Sequence, residues 1–158
     1  MNLTPRKIEC EHSAMEQLLI PFLRGRLFHL TNEEAFEDIC SYGSVSGKQQ
    51  PLIALSPRQL DNGYGRKRGW VSLYDLCDPA NLEIKEALIC HWFLRTLRKE
   101  NPLVCLIVAE DTRPSLISWK LASREIGGAE FFIPFVETWY PGELPLRLVT
   151  DSLMLTCR

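Results

Sequence analysis

The apolar run Leu103 to Ala109 (LVCLIVA) follows the breaker pair Asn101–Pro102. An uninterrupted apolar stretch of this length is that of a buried strand. It falls far short of the roughly 20 apolar residues that cross a bilayer, and no other run in the chain comes closer. Its cysteine, Cys105, counts there as a small hydrophobe. Further strand-like pieces are Arg26–Leu30, residues 51–56 (PLIALS), and Trp70–Leu76, which alternates. Three more close the chain: EFFIPFVETWY, PLRLVT and LMLTC.

Helical patterns lie between them. Residues 12–20 (HSAMEQLLI) read as a short helix stopped by Pro21. NEEAFEDICSY is capped by Thr31 or Asn32, carries an acidic first turn and ends at Gly43. The longest pattern starts at Asp78 and Pro79 and runs to Asn101. Its apolar stripe is Ile84, Leu88, Ile89, Trp92, Phe93 and Leu97. SLISWKLASREI is a shorter helix, ended by Gly127–Gly128. Helices and strands are intermixed, with strands clustering late, and no repeat or linker divides the chain. The expectation is one α+β domain over residues 1–158 with a mainly antiparallel or mixed sheet flanked by helices.

At 158 residues, 46% apolar and 24% charged, the composition is globular. Eighteen Lys and Arg against 20 Asp and Glu leave a net charge of −2, which gives no global attraction to nucleic acid or anionic membrane. The opening MNLTPRKIECEHS lacks the apolar core of a secretory signal, so a cytoplasmic protein without membrane association is expected. The cysteines, at 10, 40, 77, 90, 105 and 157, form no C-x(2–4)-C pair. They read as reduced structural thiols rather than metal ligands. Cys90 and His91 make no nucleophilic pair, because neighbours on a helix point about 100° apart.

Three features bear on chemistry. His29 and Thr31 share a face if Arg26–Leu30 is a strand; they are either a core histidine and a helix cap, or a pair that holds a ribose or an amide. The Arg58–Gly69 segment gathers Arg58, Arg66, Lys67 and Arg68 around Tyr64. It is either a solvated loop or a place where an aromatic ring and cations meet a base or an anion. It has neither a P-loop nor a dinucleotide fingerprint. Glu130, Glu137 and Glu143 are spread over the late strands. Glu137, inside FFIPFVETWY, falls where alternation half-buries a charge, and such a charge needs a partner or a purpose.

Together these pieces resemble the ADP-ribosyltransferase family, in particular its DarT-type toxin branch. Leu27-Phe28-His29-Leu30-Thr31 followed by AFEDICSYGSVSG is similar to the family's opening motif, with Ile39, Gly43 and Val45 at pattern positions. Trp70–Leu76 resembles its second characteristic strand. The stretch from Glu137 to Val149 resembles the segment that opens on the catalytic glutamate, and the interval to Pro145 favours Glu137 over Glu130. Two residues before it the family often carries Glu or Gln; here Phe135 stands there, which leaves room for a nucleic-acid acceptor.

The resemblance implies a split sheet and NAD as substrate, with ADP-ribose passed to a macromolecular acceptor by a toxin or defence effector. Glu137 would stabilise positive charge on the ribose. His29 and Thr31 would hold a ribose or the nicotinamide amide. Tyr74 would stack nicotinamide, while Tyr64, read from the loop itself, would stack a base or nicotinamide between cations. Arg66 or Arg68 would meet the pyrophosphate or polarise the acceptor. DNA or RNA would enter along the Arg58–Arg68 loop, and an antitoxin is a conceivable partner. No metal is called for. The alternatives are a non-catalytic relative that binds a partner protein, and an RNA 2′-phosphotransferase relative.

Overall fold

The computed structural model describes residues 3–45, 63–77, 102–127, 130 and 132–158. The expected strand at 51–56, Arg58 and the long helix at 78–101 with Cys90 and His91 lie outside the described residues. The described elements are β1 (Arg6–Cys10), α1 (His12–Leu23), β2 (Leu27–Asn32), α2 (Glu33–Tyr42), β3 (Ser44–Val45), α3 (Tyr64–Lys67), β4 (Val71–Asp75), β5 (Leu103–Val108), α4 (Trp119–Glu125), β6 (Glu137–Tyr140), β7 (Leu144–Pro145) and β8 (Val149–Cys157). Short 3-10 turns, Glu110–Ser115 and Leu146–Leu148, join β5 to α4 and β7 to β8.

The chain folds as an α+β domain around a mostly antiparallel six-stranded sheet, ordered β1-β8-β5-β2-β4-β6. Among the described strands only β1 and β8 pair in parallel. β5 sits inside the sheet with all six residues buried. Its odd positions, Leu103, Cys105 and Ile107, pack with Phe28, Leu30, Leu153, Leu155 and the α1 residues Leu19 and Leu23. Its even positions, Val104, Leu106 and Val108, pack on the opposite face with Leu27, Leu73 and the α2 residues Phe36 and Ile39. Both faces being covered is why the apolar run has no polar break. Each fully buried Val, Leu or Ile stabilises the fold by about 1.5–3 kcal/mol relative to exposure.

α2 has the caps its sequence announces. Asn32 Oδ1 accepts from the Ala35 amide at 2.6 Å, so Asn32 rather than Thr31 is the cap. Gly43 ends the helix in the left-handed region at φ 79°, its N–H donating to Ile39 O. Among the described residues no helix is long and apolar enough to cross a membrane.

Three expectations are corrected, and one strand forms that the sequence does not announce. α1 runs through Pro21 to Leu23, because buried Leu19 and Leu23 anchor its last turn and the Arg24 amide still reaches Ile20 O at 3.0 Å. Leu116–Ser118 is not helical: the Ile117 backbone exchanges hydrogen bonds with Trp139 (2.9 and 3.0 Å) and takes a third from Thr138 Oγ1. The strand expected over residues 130–140 is confined to Glu137–Tyr140, since the chain turns before Glu137 with Phe135 at φ 66°. β1, for which the sequence offered no pattern, forms by pairing with β8.

Candidate active site

Strands β2 and β4 pair only at Leu27–Asp75 and Phe28–Tyr74, whereas β4 and β6 stay in register from Tyr74–Glu137 to Val71–Tyr140. Past Phe28 the His29 ring takes up the hydrogen bonding between the two strands, its Nδ1 lying 2.8 Å from Ser72 O. A carbonyl only accepts, so the proton sits on Nδ1 and the Nε2 lone pair is left as an acceptor. Burial lowers the His29 pKa below its ordinary value and the bond to Ser72 partly offsets this, so the ring is neutral at pH 7.

Ser72 carries the connection onward. Its hydroxyl donates to Glu137 Oε1 at 2.6 Å. The Trp139 indole Nε1, two residues along β6 and therefore on the same face, donates to the same oxygen at 3.1 Å. The Ile133 amide donates to Oε2 at 2.7 Å, and the Glu137 amide returns a bond to Ile133 O at 2.9 Å. This closed turn contains Phe135 in the left-handed region, a conformation that costs a non-glycine residue of order 1 kcal/mol. The Phe135 ring rests at 4.4 Å on Trp119. Burial raises the Glu137 pKa above the usual carboxylate range, while the Ser72, Ile133 and Trp139 donors pull it back.

Tyr74 is the register neighbour of Glu137 on β4. Burial, and then the Glu137 charge, push its phenol well up, so it stays protonated. One face of its ring stacks on Phe28 at 5.2 Å.

The other expected site residues divide. Thr31 is on β2 but buried, opposite Val104. Tyr64 is fully buried, which corrects the expectation of a surface ring open to a base. Its hydroxyl donates to Glu125 at 2.7 Å and its ring packs on Trp139 at 4.8 Å. Gly65 is the cause: a Cβ there would run into the Trp139 indole, so only glycine lets α3 lie directly on β6. Arg68 is bound internally, with its guanidinium 3.8 Å from the Tyr64 ring centroid and Nη1 donating to Tyr64 O and Glu130 Oε1. Glu130, held below the usual carboxylate range chiefly by that bond to Arg68, is an ion-pair partner. Arg66 differs, for its Nη1 is buried with no acceptor among the described residues.

Glu137 and Tyr74 are thus register neighbours on one face, His29 is linked to Glu137 only through Ser72, Arg66 has unmet hydrogen-bonding capacity among the described residues, and Tyr64 and Arg68 are taken into the structure. Ser72 was missed. Its signal was its position two residues before Tyr74 in an alternating strand, on the face that Tyr74 shares with Glu137. Among the described residues no group of three or more His, Cys, Asp or Glu is placed to hold a metal ion. Comparisons with protein-family models, curated proteins and solved structures give no match.

Proposed function

We propose that the protein is an NAD-dependent ADP-ribosyltransferase with Glu137 as its catalytic carboxylate. The observation that carries this reading is the connection of Glu137 to His29 through the two oxygens of one residue, Ser72. A carboxylate oriented by hydrogen bonds in a desolvated place favours positive charge forming beside it. In the reaction the bond from ribose C1′ to the nicotinamide nitrogen breaks and its electron pair leaves with neutral nicotinamide. The oxocarbenium-like sugar is stabilised by ionised Glu137. An acceptor nucleophile then bonds to C1′ and gives up its proton.

His29 supports the same reading, because an Nε2 lone pair accepts from a ribose hydroxyl or the nicotinamide amide. Arg66 is suited to the pyrophosphate, since an anion would supply the acceptor its buried nitrogen lacks. Arg68, already paired with Glu130, is not.

The test is incubation with NAD labelled in its adenylate part, together with a cell extract, following both nicotinamide release and label transfer. Nuclease and protease treatment of the product then identify the acceptor. Glu137→Gln is expected to abolish both readouts. NAD binding to the wild type without nicotinamide release would identify a non-catalytic module instead, and full turnover by Glu137→Gln would remove this assignment.

A further inference from the structure

The six-stranded sheet ends differently on its two sides. At β6 the outer edge is partly covered, since Ile117 bonds the Trp139 backbone. At β1 the outer edge has no strand beside it among the described residues. An open edge ordinarily invites another chain, and a lysine placed on it ordinarily repels one. β1 reads Arg6-Lys7-Ile8-Glu9-Cys10, and Lys7 and Glu9 are both exposed. Alternation puts Lys7 and Glu9 on one face, while Ile8 packs on the α1 side against the core.

That spacing is self-complementary. In an antiparallel pairing of two β1 strands centred on Ile8, Lys7 of each copy stands opposite Glu9 of the other, twice by symmetry, and Ile8 meets Ile8. Among antiparallel registers confined to β1, the lysine that would block pairing is answered by a carboxylate in this one alone. Glu9 keeps capacity for it: its contact with Arg158 Nε is 3.4 Å long and its side chain is 55% exposed. The α1 side adds apolar surface at the same edge. Arg6 lies over the Phe22 ring at 5.0 Å, and one turn earlier on α1 Leu18 is 53% exposed.

We propose that β1 is a self-association edge, at which a second copy of this chain pairs antiparallel about Ile8 and joins two six-stranded sheets into one. The backbone ladder supplies attraction, and the Lys7–Glu9 pairs select the register and the partner. The ladder is short, so the dimer is weak and reversible.

Sedimentation equilibrium of the full chain over a wide concentration range tests this. The mass is expected to rise from that of one chain towards that of two. Lys7→Glu and Glu9→Lys each set like charges opposite one another, and each is expected to weaken the dimer about tenfold. The double variant Lys7→Glu/Glu9→Lys restores opposite charges and is expected to recover it. Lys7 makes no ion pair among the described residues, so Lys7→Glu decides the matter even where Glu9→Lys unsettles the fold through Arg158. A mass fixed at one chain throughout overturns the proposal. So does dimerisation indifferent to Lys7→Glu, which would indicate another surface.

Discussion

Ser72 Oγ lies 2.6 Å from Glu137 Oε1 and donates into the carboxylate, while the carbonyl of the same serine accepts from His29 Nδ1. One residue on β4 therefore sets the orientation of both polar groups at the place where β2 and β4 part. The consequences can be measured separately, because the two bonds use different atoms.

Ser72→Ala removes the hydroxyl and keeps the carbonyl. Glu137 then loses a donor that pulls its pKa down, and its pKa rises further. The expected result is an activity reduced by about tenfold or more, with the acid limb of the pH–rate profile moved to higher pH. An unmoved acid limb would separate Glu137 from the reaction.

His29 predicts a stability trend. Its folded-state pKa is depressed below 6.5, so as pH falls the unfolded chain takes up a proton that the folded chain refuses. Its contribution is full above that ordinary value and is lost as pH falls. Glu137 acts with the opposite sign: its raised pKa gives a contribution present at low pH and lost as pH rises through it. Comparison with His29→Asn, which keeps a donor for Ser72 O, isolates the histidine. Between about pH 7.5 and about pH 5.5 the wild-type Tm should fall more than that of the variant.

Gly65→Ala drives a methyl group into the Trp139 indole, which donates to Glu137. Urea unfolding should show a loss of about 1–3 kcal/mol, the usual range for overpacking. Activity should fall as well, since the indole must shift away from the carboxylate. Retained stability would mean that α3 lifts off β6 without cost.

The two arginines should separate cleanly. Arg68→Ala strips the Tyr64 carbonyl and Glu130 of their donor and is expected to lower Tm. Arg66→Ala removes a buried nitrogen that lacks an acceptor, so Tm should hold or rise while affinity for NAD drops. Thermal unfolding with and without NAD reads both effects. A large Tm loss in Arg66→Ala would make it a structural residue.

The legible parts of this molecule are those in which local pattern and final environment coincide. β5 is readable because a strand covered on both faces needs an unbroken apolar run. α2 is readable from its acidic start and its glycine end. Glu137 drew notice as a charge among apolar neighbours, and it proves to be half-buried with its carboxylate bound by Ser72, Trp139 and Ile133. Tyr64 and Arg68 looked like an open cationic loop, because nothing local announces that Gly65 lets the segment sink onto Trp139. Leu116–Ser118 has a helical pattern, yet the Ile117 backbone pairs with Trp139 on β6 instead.

By itself the amino-acid sequence determined the α+β class, the central strand and the capped helix, since apolar periodicity and caps act over a few residues. It marked His29 and Glu137 as polar groups in strand-like stretches, whereas Tyr74 entered only through the family resemblance. Only the tertiary structure decided which polar groups meet. It placed Ser72 between His29 and Glu137, took Arg68 to Glu130 and left Arg66 Nη1 without an acceptor among the described residues. Those choices depend on strand register and on the close approach of α3 to β6, which join residues far apart in the chain and leave no local pattern to read.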